Sequence, residues 1–181
     1  MKVQGIKEKT YHRLVWKGAW GWQGFLFSGE GIRKFTFGEK SRRAAEERLE
    51  TGIGNNAVIK EIGHLPDEIK KAKELIGLYF SGERVEFDLP LDLEGYSGFA
   101  RGVWKADRGI PYGEVRTYSE VARACGAPGA ARAVGRALGA NPVPVIVPCH
   151  RVVKGGGGMG GFSKGIEWRK KLLELESGNK E

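Results

Sequence analysis

The chain has 181 residues, long enough to bury a substantial core as one large or two small domains. No apolar run reaches the length that spans a bilayer, and residues 1–10 are charged without the apolar centre of a signal peptide, so a soluble, cytoplasmic, membrane-free protein is expected. Its 30 Lys and Arg against 22 Asp and Glu give a net charge of +8, which points to an anionic partner, while two cysteines exclude a disulfide framework. Both should remain reduced inside a cell. Abundant Lys, Arg and Glu also give a weak hint of a heat-adapted source.

The first part of the chain, to residue 88, reads as a supporting α/β domain. Tyr11 to Trp16, Gly21 to Phe27 and Ile32 to Phe37 are aromatic and β-branched runs separated by glycine-bearing turns, which predicts a small antiparallel meander. Ser41 to Glu50 reads as a capped, charged helix. Pro66 to Phe80 predicts the strongest helix, with Asp67 and Glu68 in its first turn and an apolar stripe of Ile69, Leu75, Ile76 and Tyr79. Gly82 stops it, and Val85 to Leu93 is an extended, proline-containing connection that marks the domain boundary.

Residues 89–181 read as a second, mostly helical domain. Ser97 to Asp107 offers Phe99, Val103 and Trp104 for a buried face. Thr117 caps Tyr118 to Ala124, and Gly126-Ala127-Pro128 leads into a helix over Gly129 to Gly139. Two short helices joined by a glycine-bearing turn form the helix-turn-helix pattern, whose second helix enters a DNA groove. That helix is rich in Ala and Gly, and Arg132 and Arg136 lie four apart on one face. Charge gathers here: residues 101–154 carry nine Lys and Arg against three acids, six of the eight net positive charges.

Asn141 to Val153 carries the chemistry. Pro142, Pro144 and Pro148 stiffen an apolar run that delivers Cys149 with His150 and Arg151 beside it. An ordinary thiol is only about 3% ionised at neutral pH, so a reactive cysteine needs a base or cation nearby, and these two residues are the nearest candidates. The alternative is a buried structural cysteine. Cys125 ends an apolar helix with no basic neighbour and reads as a packing residue. Asn141 suits a residue that ties a turn together through bonds to main chain. His12, His64, His150 and the cysteines share no metal-ligand spacing, so no metal and no cofactor are expected. The glycine-rich stretch Lys154 to Gly165 contains a GxGxxG without a preceding nucleotide-binding strand and reads as a loop rather than a phosphate cradle.

NPVP followed by PCHRVV, together with Tyr118, the Ala130 to Gly135 stretch and the C-terminal helix, resembles the O6-alkylguanine-DNA alkyltransferases over residues 96–176. The first ninety residues resemble them only loosely. The resemblance implies an α+β fold, with a ribonuclease-H-like N-terminal domain and a C-terminal helix-turn-helix domain. It implies single-turnover repair of double-stranded DNA in which the alkyl group of O6-alkylguanine, and of O4-methylthymine, passes to Cys149. His150 becomes the base of a Cys149, water, His150, Glu176 relay, and Asn141 supports the turn. Glu176 is chosen for its place after Leu172-Leu173, with Glu174 as rival and Glu167 too early. Tyr118 crowds the 3′ phosphate and protonates the leaving base. Arg132 fills the vacated stack, with a phosphate contact as its alternative, and Ala131 and Arg136 join the DNA face.

By the same resemblance, Val152, Met159, Gly160, Phe162, Ser163, Pro148 and Leu138 form the base pocket, with Phe162 standing where relatives often have tyrosine. Relatives that carry zinc hold it through N-terminal cysteines, which this chain lacks. A monomer is expected, associated with the nucleoid. Three rival classes remain: an alkyltransferase-like binder, which lacks the cysteine; a cysteine hydrolase, which needs turnover and an oxyanion hole; and a plain helix-turn-helix regulator, for which the alanine-rich helix offers few base-reading side chains.

Overall fold

The computed structural model describes residues 8–178, and in it the three aromatic runs become β1 (Lys9–Gly18), β2 (Gly21–Ser28) and β3 (Gly31–Glu39). They pair antiparallel, with Leu14 opposite Phe25 and Phe25 opposite Phe35. The middle strand is buried from Gln23 to Phe27, so both faces of the sheet are covered. On one face Tyr11, Val15 and Leu26 pack with Ala45 and Leu49 of α1 (Arg42–Glu50), whose Ser41 side chain caps the amide of Ala44. Burial of five such side chains is the main force holding this layer, at roughly 1.5–3 kcal/mol for each large aliphatic one.

The sheet is mixed rather than purely antiparallel. A fourth strand, β4 (Ala57–Glu61), runs parallel to β1, giving the order β3-β2-β1-β4. Its five residues have only three apolar members and an exposed end, too little alternation to announce a strand. Pairing with β1 supplies what propensity does not.

α2 (Asp67–Phe80) follows Pro66 as expected, with Ile69, Ala72, Ile76, Tyr79 and Phe80 buried and Leu75 only half-buried. The chain forms two compact units that are not consecutive stretches. One comprises the residues up to 73 with 89–92, the other residues 74–88 with those from 93 onward. Residues 89–92 return to the first unit through a bridge between Ile32 and Leu91 and through Asp92, whose buried carboxylate accepts from Ser28 Oγ and pairs with Lys9 Nζ at 2.9 Å.

The second unit is mostly helical. It contains α3 (Gly98–Arg108), the two-residue strand β5 (Arg116–Thr117), α4 (Tyr118–Ala124), α5 (Ala131–Gly139), the strand β6 (Val152–Val153) and α6 (Ile166–Ser177). Ser97 caps α3, and Trp104 is buried with its indole N–H donating to the Ala137 carbonyl of α5 at 2.9 Å. The buried face of α3 is Val103, Trp104 and Asp107. Phe99, expected there, is 40% exposed in the first turn of the helix. Thr117 and Glu120 form a full capping box that starts α4. α5 begins at Ala131, later than Gly129, and no side chain caps it. β5 and β6 pair in parallel, Arg116 with Val152 and Thr117 with Val153, which ties the start of α4 to the segment that follows Cys149.

Candidate active site

The proline run folds into a tight turn held by one side chain. Asn141 donates from Nδ2 to the Val147 carbonyl at 2.8 Å and accepts from the Val143 amide at 3.0 Å. Within the loop Val145 adopts φ 76, a left-handed conformation that is strained for a β-branched residue and costs about 1–3 kcal/mol. Pro144 before it and the Val147 amide bonded to the Val143 carbonyl leave the chain no extended alternative. The chain then enters a single 3-10 turn, Cys149–Arg151, all three residues of which are buried. Asn141 Nδ2 also reaches Cys149 Sγ at 3.1 Å, so the residue that shapes the loop aims the sulfur as well.

His150 points into a buried polar cluster. Its Nε2 lies 2.8 Å from Glu176 Oε1 and 3.2 Å from Tyr79 Oη, and Tyr79 donates to the same carboxylate oxygen at 2.6 Å. An ionised carboxylate only accepts, so Nε2 carries the proton and Nδ1 of the neutral ring is the acceptor. Nδ1 is buried and without a partner among the described residues.

Glu176 is 1% exposed and collects further donors. The Gly113 amide reaches Oε2 at 3.0 Å, and Arg151 donates Nε at 2.9 Å to Oε2 and Nη2 at 2.9 Å to Oε1. Gly113 has φ 76 and a Cβ there would come within 3.2 Å of the Glu176 carbonyl, so a side chain would both strain the turn and displace the carboxylate's backbone. Glu174, the alternative carboxylate, is exposed. Arg151 also gives Nη1 to the Ile110 carbonyl at 2.7 Å, so its charge serves Glu176 rather than the sulfur.

Four contributors were not signalled by the sequence pattern as part of this cluster. Tyr79 looks like one more member of an apolar helical stripe. Gly113 looks like a turn residue. Arg169 is fully buried, donating Nε to the His150 carbonyl at 3.1 Å and Nη1 to the Gly161 carbonyl at 3.0 Å. Asp107 is 0% exposed, and neither of its carboxyl oxygens has a hydrogen-bond partner among the described residues. The one available clue was a charged residue in step with Val103 and Trp104 on an amphipathic helix.

Electrostatics follow from burial. The Cys149 thiol is pushed up to about 12, first by burial and then by the Asp107 carboxyl, against the hydrogen bond from Asn141. The resting thiol therefore stays protonated at neutral pH and is not pre-ionised as its basic neighbours suggest. Burial also lowers His150 and keeps its ring neutral, although Glu176 pulls the other way. Burial would raise Glu176, but hydrogen bonds from His150 and Arg151 outweigh it and hold the carboxyl well below the usual range.

Cys149 faces a cleft of about 350 Å³ lined by Tyr118, Gly135, Leu138, Gly139, Cys149, Gly161, Phe162 and Ser163. Tyr118, Leu138, Phe162 and Ser163 are thus brought to the sulfur. Gly160 stands beside Tyr118: a Cβ on it would lie 2.6 Å from the phenol oxygen, and its φ of 71 disfavours any side chain. Val152 is buried and Met159 half-buried, and neither lines this cleft. Pro148 lines a different cavity, of about 410 Å³, with Arg84, Arg108, Tyr112 and Val145. Arg132 and Arg136 are exposed on α5, with Ala131 half-buried at its start. Cys125 is half-buried, with its thiol directed to the Ala122 carbonyl at 3.4 Å.

This arrangement has counterparts in known proteins. The family model for the 6-O-methylguanine DNA methyltransferase DNA binding domain matches residues 98–178. The chain is 51% identical over 111 residues to the methylated-DNA–protein-cysteine methyltransferase of Mycolicibacterium paratuberculosis, covering 61% of this chain and 67% of that one. To the enzyme of that name from Methanosarcina barkeri it is 46% identical over 110 residues, covering 61% and 69%. The solved structure of Mycobacterium tuberculosis OGT in complex with DNA superposes with a TM-score of 0.72 at 36% identity, over 92% of this chain and 93% of that one. That of O6-methylguanine-DNA methyltransferase from Pyrococcus kodakaraensis superposes with a TM-score of 0.66 at 29% identity, over 92% and 98%. The likeness extends well beyond the cysteine loop, and the chain belongs to the methylated-DNA–protein-cysteine methyltransferase family.

Proposed function

We infer that the protein repairs DNA by direct reversal, moving the alkyl group of O6-alkylguanine irreversibly onto Cys149. The observation that carries the reading is the sulfur at the floor of a cleft walled by Tyr118, Leu138, Phe162 and Ser163, with a neutral histidine and a buried carboxylate behind it. A stacked base cannot present its 6-oxygen to a buried thiol, so the nucleotide leaves the duplex at a cost of a few kcal/mol. In this reading α4 and α5 act as a helix-turn-helix on double-stranded DNA, and Arg132 occupies the vacated stack. Residues 89–181 carry the chemistry and residues 1–88, with a ribonuclease-H-like sheet, support them. The protein works as a monomer inside the cell.

The chemistry is an SN2 transfer. The thiol proton passes through a water to His150 Nδ1, and Glu176 stabilises the imidazolium that results. Sulfur attacks the alkyl carbon, the carbon to O6 bond breaks, and the departing guanine takes a proton from Tyr118. Ser163, which lines the cleft, donates toward the 6-oxygen. With a resting thiol near 12, the transfer of that proton belongs to the loaded cleft, where bulk solvent is displaced, the relay water is retained and the substrate is in place. No group returns the sulfur to a thiol, so each molecule acts once. O4-methylthymine is the natural second substrate because it presents the same ether oxygen.

The test is incubation with duplex DNA bearing O6-methylguanine, followed by mass spectrometry of the protein. One methyl per molecule on Cys149, none in Cys149→Ala, and an unaffected Cys125→Ala are expected. Product beyond one equivalent indicates a hydrolase, and methyl on Cys125 overturns the assignment.

A further inference from the structure

Asp107 is the buried group that this mechanism leaves unused. It lies on the face of α3 that carries Val103 and Trp104, it is inaccessible to solvent, and both carboxyl oxygens lack partners among the described residues. Buried carboxyls without partners are rare because an unpaired polar group in a low-dielectric interior costs about 1–3 kcal/mol, and far more when charged. An aliphatic side chain would fill the position without that cost. The groups that act on the carboxyl are few. α3 packs on the 3-10 turn, so the charges of Arg151 in that turn and of Arg169 in α6 act on the carboxyl without a hydrogen bond to it, and Cys149 of the same turn feels its charge. From the other helices packed on α3 nothing charged faces it: Glu120 of α4 is folded back onto Thr117, and Arg123, Arg132 and Arg136 are exposed. Arg151 is committed to Glu176, and Arg169 gives Nε and Nη1 to two carbonyls while its buried Nη2, like the Asp107 oxygens, has no hydrogen-bond partner among the described residues.

We propose that Asp107 is a positioning residue that makes the reactivity of Cys149 depend on pH, its neutral carboxyl permitting a thiolate and its ionised form keeping the proton on sulfur. The direction follows from charge. Two negative groups in one dry pocket oppose each other, so whichever ionises first holds the other neutral. Burial raises the Asp107 carboxyl to about 8, against the pull of Arg151 and Arg169, which leaves it protonated at neutral pH. Above that pH it gives its proton to solvent, just where an ordinary cysteine would become more reactive. The gain in thiolate is thereby blunted, and the sulfur is shielded from adventitious alkylation in alkaline conditions.

The inference rests on Cys149 as the nucleophile, and its test needs no DNA. Iodoacetamide alkylation of Cys149 is followed between pH 6.5 and 9.5 by peptide mass spectrometry in the wild type and Asp107→Asn, with Cys125 as internal reference. The ratio of the Cys149 rate at the top of that range to the rate at the bottom is expected to be about tenfold larger in Asp107→Asn, while Cys125 keeps one profile in both. Equal Cys149 ratios overturn the proposal. The wild type alone gives a second reading that survives a misfolded variant. With the four aspartates carrying 13C at the carboxyl carbon, one signal is expected to titrate near pH 8. Four carboxyls all ionised by pH 6 overturn it. Absence of methyl transfer from O6-methylguanine would refute the repair reading instead, leaving both of these measurements intact.

Discussion

At the scale of single residues, the site is organised around Glu176 more than around the cysteine. Its carboxylate accepts from Tyr79, His150, Arg151 and the Gly113 amide, so every orientation of the imidazole is referred to one anion. In the proposed relay, removing that anion weakens the base that receives the thiol proton. Glu176→Gln is therefore expected to slow alkyl transfer roughly 10²-fold and to move its pH dependence upward, since more alkaline solution must replace the lost basicity. Glu174→Gln, exposed one half-turn away, should change neither, and the reverse ranking in single-turnover rates would reassign the carboxylate. Tyr79→Phe removes one donor and leaves the anion, so its transfer loss should be smaller than that of Glu176→Gln, with a stability loss of about 1–2 kcal/mol by denaturant titration. Cys149, His150 and Asn141 were legible because proline spacing and a local motif announce them. Tyr79, Gly113, Asp107 and Arg169 were not, because they reach the cluster from distant stretches of chain and their types suit ordinary helix and turn positions.

Among elements, local chemistry sufficed wherever it was strong. Ser41, Ser97 and Thr117 mark helix starts by side-chain caps, and the glycine-separated aromatic runs mark three strands. It failed where pairing decides. β4 exists through its parallel register with β1, and the two-residue strands β5 and β6 exist only through each other. α5 is a case of composition set by approach rather than by stability: small residues cover most of it, a Cβ on Gly135 would already lie 3.6 Å from the Tyr118 ring, and the large polar side chains are Arg132 and Arg136, both exposed. Arg132→Ala is expected to cost tenfold or more in repair rate on duplex DNA, about 1.4 kcal/mol per decade, and little on the free base O6-benzylguanine, which needs no extrusion. Parallel losses on the two substrates in stopped-time assays would mean that the residue supports the pocket or the fold instead of the stack.

For the molecule as a whole, the tightness of the cysteine's surroundings gives the spent protein a physical identity of its own. Cys149 is 5% exposed, and its sulfur accepts from Asn141, the side chain that also holds the Val143 and Val147 backbone. A thioether is, like the thiol, only a weak acceptor, but it brings an extra group against the buried sulfur. Overpacking there costs roughly 1–3 kcal/mol. Methylated protein should therefore melt about 2–12 °C below the unreacted form in scanning calorimetry, and benzylated protein lower still. Identical melting curves would show that the cleft absorbs the adduct without strain. Such a difference gives the cell a means of sorting: molecules that have discharged their one reaction open more often, and proteases that sample open chains would clear them first while the unused stock endures.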